Sequence, residues 1–129
     1  MAAMELHVFA ESVRDIVDRA VSAFENGNLE MALSVEPLES CIDGVHAKIK
    51  DRHIKRLREG KCTVELGILL QDITNDFERV SDHCSNIAVA IIEAESDRYD
   101  SHDYLDSIKT GENKAFQQAY KQYSEKYAF

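Results

Sequence analysis

In this 129-residue chain, Glu39 and Asp43 stand four residues apart, and so do Glu78 and Asp82. On a helix that spacing puts both carboxylates of a pair on one face, about 6 Å apart along the axis. Like charges so placed cost a helix about 0.2–0.5 kcal/mol per pair, and a bound cation would remove that cost. Donors that are all oxygen suit hard or borderline metals: Fe, Mn, Mg or Ca, with Zn less typical. The other reading is a plain solvated acidic face. Thirteen Glu and eleven Asp would give about one Glu-x-x-x-Asp by chance, and the chain has four, the others being Glu11/Asp15 and Glu93/Asp97.

Four amphipathic stripes supply the elements that must position these groups. Leu6, Phe9, Val13, Ile16, Val17, Ala20 and Phe24 recur at three- and four-residue steps and predict a first helix ending at Asn26-Gly27-Asn28. Val35, Leu38, Ile42, Val45, Ile49, His53 and Leu57 predict a second, with Pro37 in its first turn, Ser34 as N-cap and a stop at Glu59-Gly60. Residues from about Leu29 read as a separate short turn or a kinked start. Leu66, Leu69, Ile73, Phe77, Val80, Cys84, Ile87 and Ile91 predict a third and longest helix, with that stripe as its core face. Residues 96–113 are polar and read as a connection with one short helical turn, before a final helix faced by Phe116, Tyr120, Tyr123 and Tyr127. No strand pattern competes. Short connections force antiparallel neighbours, so the predicted fold is all-α, an up-down three-helix bundle over residues 1–95 with residues 96–129 adding a helix to the same domain.

That topology brings the two acidic pairs to one height. With the turn between the second and third helices centred on Gly60 and Lys61, Glu39 falls level with Asp82 and Asp43 with Glu78. At 100° per residue Glu78 and Asp82 point about 160° away from the Val80 stripe, while Glu39 and Asp43 lie about 60–100° from the Ile42 stripe. Any metal site would therefore be near the surface, unlike the inward Glu-x-x-His centres of ferritin-like bundles.

Composition narrows the partners. Twenty-four acidic against fifteen basic residues give a net charge of −9, which repels nucleic acid and anionic lipid and attracts cations. The longest apolar run, Ile87 to Ile92, is six residues, against about twenty for a membrane span. No secretory signal is visible, and three cysteines without a CxxC suit a reducing compartment.

The run Phe77-Glu78-Arg79-Val80-Ser81-Asp82-His83-Cys84-Ser85-Asn86-Ile87-Ala88 resembles the signature of the PhoU family of phosphate-uptake regulators, in which E-R-x-x-D-H/Y-x-x-N-I-A closes each three-helix repeat. Glu39-Ser40-Cys41-Ile42-Asp43 matches that family's other acidic motif. The stretch from Arg52 to Cys62 is similar to the version at the C-terminus of bacterial sodium-dependent phosphate transporters. The resemblance spans about Glu5 to Glu93. It implies a three-helix PhoU repeat, the second of two, whose acidic motifs hold a multinuclear metal cluster, most often iron, on the outer face. Carried onto this chain, the ligands are Glu39, Asp43, Glu78 and Asp82. A full family member has two repeats and this chain has one. The expectation is that a transporter portion lies upstream, or that the chain pairs with another repeat or a second copy of itself. The implied location is the cytoplasm, at the inner face of the plasma membrane.

Other residues read more plainly. His53 continues an apolar stripe and reads as a satisfied core histidine, Cys84 as a small buried hydrophobe, and Arg79 as a partner for nearby carboxylates. His46 could complete a coordination sphere. No nucleophile–base pair, glycine-rich phosphate loop or zinc-type Cys/His spacing is present, so the expectation is a regulatory module and not an enzyme. The alternatives are a carboxylate-bridged metalloenzyme and a metal-free interaction bundle.

Overall fold

The computed structural model describes residues 2–95 and 113–129. It contains helices α1 (Ala2–Asn26), α2 (Leu29–Leu33), α3 (Val35–Arg58), α4 (Val64–Glu95) and α5 (Lys114–Lys126), with no strand among the described residues. The short helical turn expected within residues 96–113 lies outside the described residues, except for Asn113. Helices α1, α3 and α4 pack on one another as a three-helix bundle, and α5 lies against α3. None of the helices is long and apolar enough to cross a membrane, among the described residues.

The punctuation is where the residue types require it. Gly27 (φ 57°) and Gly60 (φ 69°) take the left-handed conformation that ends α1 and follows α3, a conformation that costs a residue with a Cβ. Asn28 caps α2, its side-chain oxygen accepting from the Met31 N–H at 3.1 Å. Asn28→Ala should therefore cost about 1 kcal/mol, read as a lower urea midpoint with an unchanged slope; an unmoved midpoint would show that this cap does not matter. Pro37 sits in the first turn of α3, as expected. Ser34 precedes that helix but does not cap it, because its hydroxyl donates back to the Met31 carbonyl at 2.6 Å and accepts from Arg19.

Phe9 and Ile16 of α1, Leu38, Ile42 and Ile49 of α3 and Ile92 of α4 are fully enclosed. The expectation for α4 needs correction. Leu66, Leu69, Val80 and Ile87 are 58%, 55%, 39% and 41% exposed, while Gly67, Thr74, Ser81, Cys84, Ala88, Ile91 and Ile92 face the bundle. Cys84 and Ile91 of the predicted stripe are buried, but the centre of the core face is rotated by roughly 70° from that stripe, towards the small residues. Gly67, Thr74, Ser81 and Ala88 recur every seven residues. Their small size lets α1 and α3 approach closely, and close approach of two helices at once decides which face is buried.

Two polar contacts tie the outer pieces down. Burial works to raise the carboxyl of Asp15, but the Tyr127 hydroxyl donating at 2.7 Å and the Arg19 guanidinium at 2.8 Å outweigh it and hold it below its ordinary range. Tyr123 donates to the Ser34 carbonyl at 3.3 Å, with Arg19 over its ring. Phe116, Tyr123 and Tyr127 are buried, and Tyr120 is the exposed member of the aromatic stripe. At the opposite end of α1, Glu5 is 1% exposed. It accepts from Arg56 through both carboxylate oxygens, at 3.1 and 3.0 Å, and from Arg52 at 3.3 Å.

Candidate metal centre

The α3–α4 seam is set by the tight turn at Gly60 and by the small-residue face of α4. Its register is visible in three contacts: Glu36 meets Ser85, His46 meets Glu78, and His53 abuts Gly67. Because the buried face of α4 centres on Ser81 rather than Val80, Asp82 turns only about 100° from the core instead of pointing straight out. Glu78 and Asp82 thus line the seam with α3.

Three of the four predicted residues come together there. Glu39, Asp43 and Asp82 each offer a carboxylate oxygen, all within 4.8 Å of one another, with Glu39 half-buried and the other two exposed. Glu78 is not in that group. Its carboxylate lies 3.2 Å from Nδ1 of His46, one turn along α3 from Asp43, which it was expected to face. His46, singled out as a possible further ligand, therefore sits beside the cluster and is engaged with Glu78. His83 and Arg79 are exposed, and Arg79, expected to pair with carboxylates, makes no ion pair among the described residues.

The electrostatics of the cluster follow from the crowding of its carboxylates. Burial, then the contact with Asp43 and the charges of Asp43, Glu36 and Asp82, push the Glu39 carboxyl up to about 8. The contact with Asp43 favours the protonated form of Glu39. Asp43 is itself raised, first by burial and also by Asp82, against the opposing effects of Glu39 and His46. Glu36, buried on α3, is raised by burial and by Asp43, although the Ser85 hydroxyl donates to it. Three converging carboxylates fit a hard or borderline divalent metal.

Glu36 and Ser85 were not singled out from the sequence. They obey the same register that paired Glu39 with Asp82, so extending that rule by one turn would have found them. His53 departs from its expectation. It is buried, but neither ring nitrogen has a hydrogen-bond partner among the described residues.

A family model described as the PhoU domain matches residues 6–91. The phosphate-specific transport system accessory protein PhoU homolog 1 of Thermotoga maritima is 28% identical over 107 residues, covering 83% of this chain and 46% of that protein. The chain thus spans about half the length of this curated relative. No solved structure matches.

Proposed function

The chain belongs to the PhoU domain family, and from that premise we propose that it is a metal-binding regulatory module of phosphate uptake. The observation that carries this reading is the convergence of Glu39, Asp43 and Asp82 across the α3–α4 seam, at the two acidic motifs by which the chain resembles the family. Residues 1–95 form one PhoU repeat in this reading, and 96–129 its connection and closing helix. Phosphate transport enters through the relative, which is named an accessory protein of a phosphate-specific transport system. The similarity of Arg52–Cys62 to transporter-borne PhoU domains favours a cytoplasmic domain that belongs to, or acts on, a sodium-dependent phosphate transporter and pairs with a second repeat.

The mechanism needs no bond-making by the protein. A bound metal would supply fixed positive charge to the α3–α4 seam. Glu39, Asp43 and Asp82 would hold it, Glu39 giving up its proton as the ion enters, with Glu78 and His46 beside them. Holding the ion would neutralise this acidic surface, and a partner would meet a different face. Iron is the metal the family resemblance favours. Elemental analysis after anaerobic reconstitution with Fe(II), and separately with Mn(II), tests the reading. Stoichiometric metal that survives desalting, two or more ions per chain for a cluster, is expected. Background metal in helical, folded protein would overturn it and leave a bare interaction bundle.

A further inference from the structure

Below the acidic cluster, towards the α3–α4 turn, the two helices part around a cavity of about 210 Å³. Ile49, Ile54, Leu57 and Leu70 form apolar walls, with Lys50 at the rim and His53 in the wall. His53 is 8% exposed, and neither Nδ1 nor Nε2 has a partner. A neutral imidazole always carries one N–H to donate and one lone pair to satisfy, so burying both unpaired is unfavourable. Room for the ring comes from Gly67: a Cβ at that position would stand 2.6 Å from His53 Nε2. The chain thus uses a glycine inside a helix, against propensity, to hold an unsatisfied histidine at a cavity.

The lining lacks the acidic groups that dominate the rest of the molecule. The chain carries 24 acidic residues and a net charge of −9, yet among the described residues no Asp or Glu lines this cavity, and its charged side chain is Lys50. Apolar walls call for an apolar body, and the unpaired imidazole with a nearby ammonium calls for an acceptor that carries negative charge.

We propose that the α3–α4 cavity is a binding site for a small amphipathic monoacid, an apolar body of roughly ten non-hydrogen atoms or fewer bearing one carboxylate. The apolar part fills the space between Ile49, Leu57 and Leu70. Its carboxylate accepts from an N–H of His53, presented by a rotation of the ring, and pairs with Lys50. The site uses none of the three clustered carboxylates, so it stands whether or not the metal centre does.

Benzoate and its uncharged analogue benzyl alcohol are suitable probes. In the full chain labelled with ¹⁵N, the His53 ring resonances should shift saturably on addition of benzoate, with Kd below about 1 mM. Benzyl alcohol should bind at least tenfold more weakly. Lys50→Gln, at an exposed position, should weaken benzoate severalfold and leave benzyl alcohol unchanged. Ile68→Trp at the rim should block both while the backbone spectrum stays dispersed. Three results would each overturn the proposal: His53 unmoved by 20 mM benzoate, equal affinity for the two probes, or undiminished benzoate binding in Lys50→Gln.

Discussion

Glu5→Gln should lower the stability of the protein by about 3–5 kcal/mol at pH 7, the usual loss when one partner of a buried ion pair is removed. The reason lies in what remains. Arg56 reaches Glu5 through two guanidinium nitrogens and its side chain is 17% exposed, with Arg52 half-exposed beside it. A neutral amide can neither balance their charge nor accept both forks, so the guanidinium of Arg56 stays desolvated without its counterion. Burial alone would raise the Glu5 carboxyl, but the hydrogen bonds and charges of Arg56 and Arg52 prevail and hold it below its ordinary 4.5. A lowered carboxylate contributes stability that is complete above the unfolded-state value and is lost as pH falls through the folded one. Wild-type protein should thus lose stability below about pH 4.5, and the acid limb should flatten in Glu5→Gln. Urea unfolding from pH 3 to 7 reads both effects. The double variant Glu5→Leu with Arg56→Met should recover much of the loss, since replacing a whole buried pair by apolar groups is often neutral. A midpoint unchanged in Glu5→Gln, or an acid limb of the same slope, would show that the pair is structurally idle.

Asp82→Asn should act in opposite directions with and without metal. In the metal-free protein it removes one of the charges that push Glu39 up to about 8. A carboxyl raised from its ordinary 4.5 weakens the folded state progressively as pH rises from the unfolded value to the folded one. Wild-type apoprotein should therefore lose stability between pH 5 and 8, and Asp82→Asn should lose less. The gain at pH 8 is on the order of 0.5–1 kcal/mol, because Asp82 is exposed and solvent screens its charge. Metal affinity should fall at least as far as it does when a residue supporting a ligand is lost, about 10–100-fold or more. Thermal unfolding at fixed pH, with and without Mn(II), separates the two. Wild type should gain Tm on adding metal by mass action, and Asp82→Asn should start higher and gain little. A variant that is destabilised without metal, or that keeps the full metal-induced gain, would contradict the proposed centre.

These two sites differ in how far they can be read from the residues alone. The spacing Glu39/Asp43 and Glu78/Asp82, the turn at Gly60 and the antiparallel course of two adjacent helices suffice to bring acidic groups to one height. Local rules carry that far because the turn is short and the helical repeat is regular. The Glu5–Arg56 pair spans 51 residues and joins helices that are not consecutive through that turn, so no local pattern announces it. Glu78 illustrates an intermediate case: its height was right to within one turn, but its partner is His46, because side-chain length and helix rotation choose among neighbours that register alone leaves equivalent.

The residues by themselves determined the helical class, the helix ends at Gly27 and Gly60, the core stripe of α3, that of α1 except for Phe24, which is exposed while Ala23 is buried, and the acidic motifs, all of which depend on interactions within a few positions along the chain. Helix α4 had two faces that could be buried: one of large apolar side chains, and one of Gly67, Thr74, Ser81 and Ala88. Periodicity favours the first. The tertiary structure buried the second, together with Cys84 and Ile91 from the edge of the first, since a helix lodged against two others gains more from close approach than from size. That rotation turned Asp82 towards Asp43 and left the space beside His53.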